Sequence, residues 1–260
     1  LKRSFLLLLL LPLVACGRAG DGGQPRSPAA PRATRGYVVI SIDTLRADHL
    51  GGYGYGLPTS PFLDELAGRA TLFVDAYSQY PSTLVSHASM FTGLYPREHG
   101  VFGNESVLGD GVETFPEVFQ RAGFRTGGFT EGGYVSGHFG FRRGFEQFQA
   151  RNRSHAREVR HTFERGERFL AGLRPGERFL LFLHTYAVHA PYDAPEEYQR
   201  MFWPGEPPPG WFFPGARALA EREAAQADLS PELLRWLVAR YDAGIRETDD
   251  VLRGFFAALD

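Results

Sequence analysis

Two short apolar runs, Tyr37 to Ile42 and Phe179 to Leu183, constrain the fold of this chain more than any other feature. The first is β-branched and entered through Gly36; the second follows the turn signal Pro175-Gly176. Runs of this length, bounded this way, read as buried strands. Each ends abruptly in a titratable residue, Asp43 after the first and His184 after the second. In open α/β sheets ligands gather outside the carboxyl ends of the strands. Position alone therefore makes Asp43 and His184 candidate site residues.

The text between these runs is helical and turn-like by alternation. Ser60-Pro61 predicts an N-cap and first turn for a helix reaching about Arg69. Leu72 to Ala76 is a candidate strand. Thr114 with Glu117 forms a capping box, Pro116 sits in the first turn, and Gly123 stops that helix. Phe124 to Thr130 predicts a short strand, and residues 155–171 predict a helix. The Pro-, Gly- and aromatic-rich stretch 204–215 reads as a surface excursion. Ser230-Pro231 opens a helix whose Leu233, Leu234, Leu237, Val238, Tyr241 and Ile245 keep helical spacing, and a final helical stretch runs to Asp260. Strands alternating with helices over 260 residues predict one α/β domain, a layered sheet flanked by helices.

The first sixteen residues behave differently. Lys2 and Arg3 precede an apolar run from Phe5 to Leu13, broken by Pro12. As a helix it is too short for a hydrocarbon core of about 30 Å, so it reads as the core of a signal peptide. It ends in Leu13-Val14-Ala15-Cys16, which resembles the lipobox of bacterial lipoproteins. That resemblance implies cleavage after residue 15 and a lipid anchor on the Cys16 thiol. It places the protein in the bacterial cell envelope, secreted and facing the periplasm or the cell surface. A plain secretory leader with an incidental cysteine is the alternative. Residues 16–35, rich in Gly, Pro, Ser and Arg, predict a flexible tether, leaving 36–260 as the folded part. Leu1 in place of Met is expected of an alternative start codon or a cut fragment. The net charge of -2, with no basic block after the leader, argues against a nucleic-acid partner.

Chemistry concentrates at the strand ends and in one loop. Beside Asp43, the residues Arg46, Asp48 and His49 form a dense polar group. Ser82, Thr83 and Ser86 with His87 lead into Ala88-Ser89-Met90-Phe91-Thr92-Gly93. A hydroxyl at a helix start meets unpaired N–H groups that would equally hold a phosphate or sulfate; simple capping is the other reading. Such a hydroxyl becomes a nucleophile only when a base or a divalent metal lowers its pKa. His184 and His189 flank Thr185-Tyr186-Ala187-Val188, and either could ligate metal, bind an anion, protonate a leaving group, or be structural.

Val39-Ile40-Ser41-Ile42-Asp43-Thr44-Leu45-Arg46-Ala47-Asp48-His49-Leu50-Gly51 resembles the opening of the sulfatase-like branch of the alkaline phosphatase superfamily. Thr59 to Ala67, Ser86 to Pro96 with His99-Gly100-Val101, Gly144 to Phe148, His184 to Pro191 and Tyr241 to Asp249 resemble it in the same order. The resemblance implies an alkaline phosphatase-like fold and a metal-dependent hydrolase of sulfate or phosphate esters. It makes Asp43 a ligand of a divalent cation (Ca, Mn, Mg or Zn) and puts Thr83 at the nucleophile position, also on the metal. His87 would donate to the substrate oxyanion, and His189, or second His184, would contact substrate or leaving group. His138 lies where other members place a Lys/His pair. Family members carry Cys-x-Pro-Ser-Arg at the nucleophile, whereas here Thr83, Val85 and His87 replace Cys, Pro and Arg, and Thr44 replaces a second aspartate. Threonine offers no route to formylglycine, so Thr83 is expected to attack directly. Longer members continue to a strand ending in an Asp-His or Asp-Asn pair that completes the metal site. The chain is thus expected to be the N-terminal part of such a domain, C-terminally incomplete. Two alternatives stand: a surface phosphotransferase acting on phospholipid head groups, and an inactive binding lipoprotein that keeps the fold.

Overall fold

The computed structural model describes residues 36–151, 158–208 and 230–259. The leader, Cys16, the tether and most of the 204–215 excursion lie outside the described residues. Four strands, β1 (Gly36–Ile42), β2 (Arg125–Thr130), β3 (Gln147–Ala150) and β4 (Phe179–Thr185), form one sheet in the order β1-β4-β2-β3. Every pairing is parallel, with Ile42 opposite Thr185 and Thr130 opposite His184. Parallel neighbours require crossovers, and helices supply them: α1 (Pro61–Ala67), α2 (Thr83–Thr92), α3 (Pro96–His99), α4 (Phe115–Arg121), α5 (Glu158–Ala171), α6 (Glu196–Phe202) and α7 (Pro231–Ala257).

The side-chain alternation of β4 organises the layers. Leu180 and Phe182 point to one face, where Leu84, Val85, Ala88 and Phe91 of α2 meet Phe141 and Phe145. Leu181 and Leu183 point to the other, against Phe62 of α1, Phe163 and Phe169 of α5, and Val251, Leu252 and Phe255 of α7. A parallel strand covered on both faces has no use for polar alternation, which is why its sequence is an unbroken apolar run.

Three details differ from the sequence reading. Residues 72–76 form no strand: Phe73 and Val74 are exposed, and the segment 71–82 passes over the surface toward α2. The helical text from Ser230 onward is one helix, α7, with no break. Ser60 does not cap α1 through its side chain; its hydroxyl donates to Asp64 and accepts from the Gly51 N–H. The cap comes instead from Asp249 of α7, whose carboxylate accepts from the N–H groups of Phe62 and Leu63, both at 2.8 Å. By contrast, Glu117 reaches back to the Thr114 N–H at 2.8 Å, as a capping box should.

Helix α7 also sets the loops at the sheet's carboxyl edge. A Cβ at Gly244 would lie 2.9 Å from the Ala187 carbonyl oxygen, so glycine lets the loop after β4 lie against the helix. Tyr241 donates its hydroxyl to the Thr44 carbonyl and accepts from the Arg46 N–H, both at 2.8 Å. Among the described residues no helix is long and apolar enough to cross a membrane.

Candidate active site

Asp43 follows β1 directly, and its N–H donates to the Thr185 carbonyl at 3.0 Å, extending the sheet by one bond. The chain then turns through Thr44, whose φ of 57° is left-handed. That conformation is unfavourable for a β-branched residue. Here it is held by Tyr241 and by the Thr44 hydroxyl donating to the Asp43 carbonyl at 2.7 Å. The turn leaves the Asp43 carboxylate facing α2.

Thr83 is the first residue of α2, and its hydroxyl donates to Asp43 Oδ2 at 2.9 Å. The first N–H groups of a helix have no carbonyl one turn earlier, so this end of α2 favours an anion. The preceding Ser82 Oγ is buried and makes no hydrogen bond. Thr83 and Asp43 sit together at the floor of a cleft of about 810 Å³. Its walls include Ser41, Tyr80, Asn104, Tyr134 and His189.

Two imidazoles lie behind this pair. His87, 4% exposed, donates Nδ1–H to the Thr83 carbonyl at 2.7 Å, which is one turn of α2 earlier. Its Nε2 then accepts from the Ser41 hydroxyl at 2.9 Å. Burial, helped by the neighbouring His184, pushes the His87 pKa down to about 4. His87 is therefore neutral near pH 7, with its one N–H committed to backbone. That geometry leaves it no proton to offer a substrate oxyanion, because the cation that an arginine would place here is absent. His184 is 0% exposed, its ring 4.9 Å from His87, with Nε2 3.5 Å from Asp43 Oδ2. His184 Nε2 meets the Asp43 carboxylate only at this longer distance, and Nδ1 has no hydrogen-bond partner. Burial lowers its pKa as well. Burial works to raise the pKa of Asp43, but His184 and the Thr83 hydroxyl outweigh it and hold the carboxylate below its ordinary value. The site at rest is one carboxylate, one hydroxyl and two neutral imidazoles. Asp43, His87 and His184 each offer a ligand atom within 4.8 Å of the others, so together they could hold a metal ion.

His189 stands at the cleft wall, with Nδ1 donating to the Ala190 carbonyl at 2.6 Å. Nε2 is then the atom left for proton transfer. The other sequence candidates scatter. Arg46 and Asp48 pair with each other at the surface, while His49 donates to the buried Asp242 carboxylate at 2.7 Å. His138 packs on Phe139, away from the cleft. Ser41, Asn104 and Tyr134 line the cleft as well, with no role expected from the sequence. Ser41 carries a usable signal as the small polar residue inside the apolar run of β1; Asn104 and Tyr134 arrive on loops whose path no local pattern encodes.

The family model described as Sulfatase matches residues 35–260. The chain belongs to the sulfatase family. Over 90 residues it is 36% identical to an arylsulfatase of Clostridium perfringens, a match covering 34% of this chain and 19% of that protein. Over 133 residues it is 28% identical to the N-acetylglucosamine-6-O-sulfatase of Bacteroides thetaiotaomicron, covering 51% of this chain and 23% of that one. Among solved structures, the phosphonate monoester hydrolase of Agrobacterium radiobacter superposes with a TM-score of 0.66 at 21% identity, over 85% of this chain and 58% of that chain. BT4656 in complex with its substrate D-glucosamine-2-N,6-O-disulfate superposes with a TM-score of 0.65 at 14% identity, over 85% and 62%. These structures share the layered α/β fold. This sulfatase-family chain spans less than two thirds of each of these four proteins.

Proposed function

We infer that this protein hydrolyses sulfate or phosphate esters through a covalent intermediate on Thr83. The observation that carries the reading is the 2.9 Å hydrogen bond from the Thr83 hydroxyl to a buried, ionised Asp43, at a helix N-terminus that opens into a cleft. Asp43, whose carboxylate stays anionic despite burial, and the Thr83 hydroxyl would supply two of the several ligands a divalent cation needs. Such an ion, when bound, neutralises charge on the transferred group and lowers the pKa of a neighbouring hydroxyl.

The chain's own groups account for the rest. Thr83 Oγ1 bonds to the sulfur or phosphorus as its proton passes to Asp43. The ester oxygen leaves on the opposite side, taking a proton from His189 Nε2 with His189 in its imidazolium form. Unpaired N–H groups at the start of α2 face the transferred oxygens. Water deprotonated by His189 then attacks the sulfur or phosphorus, and Thr83 Oγ1 recovers its proton. Because Thr83 keeps a Cβ methyl and no carbonyl chemistry, the second step must be attack by water and not elimination. The relatives' names span sulfated sugars, aryl sulfates and phosphonate monoesters, which supports the ester class and leaves sulfur and phosphorus both within it. The lipobox-like residues 13–16 support lipid anchoring through Cys16 in the bacterial envelope.

One experiment tests the reading. The protein, supplied with divalent metal, is assayed on an aryl sulfate, an aryl phosphate monoester and a phosphodiester, in membrane and soluble fractions. Thr83→Ala is expected to lose on the order of a thousandfold or more in kcat, and Cys16→Ser to move activity to the soluble fraction. Unchanged turnover in T83A would remove Thr83 from the mechanism.

A further inference from the structure

We propose that the alcohol part of the ester is an extended, uncharged aromatic group, held in an apolar groove between Tyr80, Tyr95 and Phe102 that opens off the cleft. The assignment rests on the ester-hydrolase reading only for which end of the ligand faces Thr83.

The groove has a volume of about 600 Å³ and is lined by Tyr80, Tyr95, Pro96, Arg97, Glu98 and Phe102. Tyr80 is a wall of the cleft as well, so the two cavities meet at that residue. Tyr95 is 68% exposed and Phe102 56%. Large apolar side chains gathered in one exposed place mark a ligand or partner surface, whereas single ones need no explanation. Continuity with the cleft singles out a ligand of the cleft. Tyr77 and Met90, both exposed, carry the same apolar surface into the cleft wall that includes Thr83.

The backbone under the rings is tied down. The Ser78 hydroxyl donates to the Tyr80 carbonyl at 2.9 Å, and the Gln79 side-chain amide to the Tyr77 carbonyl at 3.0 Å. Glu98 accepts from the Tyr95 N–H at 2.9 Å, where α3 begins. Phe102 follows the fully buried Val101. Rings presented on a fixed backbone need little ordering when a ligand arrives.

Length and charge define the occupant. Thr83 opens α2, and Met90 stands seven residues on, about 10 Å along the axis at 1.5 Å per residue. Tyr95 comes after that helix has ended at Thr92. A single ring on the reacting oxygen stops short of Tyr95, whereas two linked rings reach the groove. The charged residues of the groove are one of each sign, Arg97 and Glu98, which suits a neutral group. Aromatic side chains favour an aromatic partner, offset-stacked or edge-on. Binding so far from the reacting atom holds the ester in line with Thr83.

Binding of the free alcohols tests the groove without requiring turnover. Calorimetry on the full chain compares phenol, biphenyl-4-ol and the neutral disaccharide cellobiose. Biphenyl-4-ol is expected to bind at least about tenfold more tightly than phenol, and more tightly than cellobiose. Tyr95→Ala and Phe102→Ala are each expected to weaken biphenyl-4-ol about fivefold to tenfold, with melting curves verifying the fold. Phe73→Ala, at an exposed ring outside both cavities, should leave that affinity within about twofold. Equal affinity for phenol and biphenyl-4-ol overturns the proposal, as does a preference that survives both Y95A and F102A. Tighter binding of cellobiose overturns the aromatic assignment and makes the groove a sugar site. Alcohol binding as expected, with no hydrolysis of biphenyl-4-yl sulfate or phosphate, would refute the hydrolase reading and leave the groove standing as a ligand site.

Discussion

Glu131 follows β2 at the same sheet edge as the cleft, yet it faces the interior. Its Oε2 accepts from the Tyr186 N–H at 2.7 Å, and its Oε1 is buried with no hydrogen bond. Burial raises its pKa to about 7, against the lowering effect of Thr185 and Tyr186. The sign follows from proton counting. Between about pH 4.5 and 7 the folded protein holds a proton on Glu131 that the unfolded chain has released, so stability falls as pH rises through that window. The full effect is up to about 3 kcal/mol. Glu131→Gln, which mimics the protonated acid, is expected to flatten the pH dependence of the urea midpoint between pH 5 and 8. An unaltered slope in E131Q would assign that dependence to other groups. The same reasoning shows what one substitution does to the candidate site. An arginine at position 87 would bring a permanent charge; His87 at this burial brings none.

Helix α7 holds other elements in place more than it lines the site. Its Asp249 caps α1, and its Tyr241 secures the Thr44 turn beside Asp43. Burial raises the Asp249 pKa, so the two N–H bonds are what keep this carboxylate tolerable inside. Asp249→Ala leaves both Phe62 and Leu63 N–H groups without acceptors and is expected to cost about 2–3 kcal/mol in chemical denaturation, more than an ordinary exposed cap. Asp249→Asn keeps one acceptor oxygen and should recover part of that loss; equal stability of D249A and wild type would show that water replaces the carboxylate. This cap also marks where reading the sequence stops. The Ser60-Pro61 signal correctly starts α1, because proline's fixed φ is a local property, but the capping atom lies in a helix far along the chain. Strand β4 is legible because both its faces are covered and its run is unbroken; β1, half-buried at the sheet edge, keeps an apolar run interrupted only by Ser41. Leu72 to Ala76 is apolar apart from Asp75 but has no partner strand, so composition alone misplaces it. Strand β3, four residues long with a half-polar sequence, carries no periodic signal to find.

On the scale of the whole molecule, one strand joins everything the candidate site needs. Strand β4 lies between β1 and β2, supplies apolar side chains to both faces, and ends at His184 and Thr185 beside Asp43. Phe182 is its central contact on the α2 face, with ring centroids 5.0 Å from Phe91 and 6.3 Å from Phe115 and Phe145. The helix that presents Thr83 therefore rests on the strand that presents His184 through the Phe182–Phe91 contact. Removing that ring should act on both at once. Phe182→Ala is expected to lower stability by about 3–5 kcal/mol, the cost of a cavity in a packed aromatic cluster. Phe73→Ala, at a ring 69% exposed, should stay within about 0.5 kcal/mol of wild type. Because β4 amides are bonded on both sides, their hydrogen exchange should require global opening, while those of residues 71–82 should exchange through local opening. If F182A speeds β4 exchange by the factor its stability loss predicts, strand, helix and site unfold as one unit. Exchange at β4 that outpaces this factor would instead show the site edge opening separately from the core.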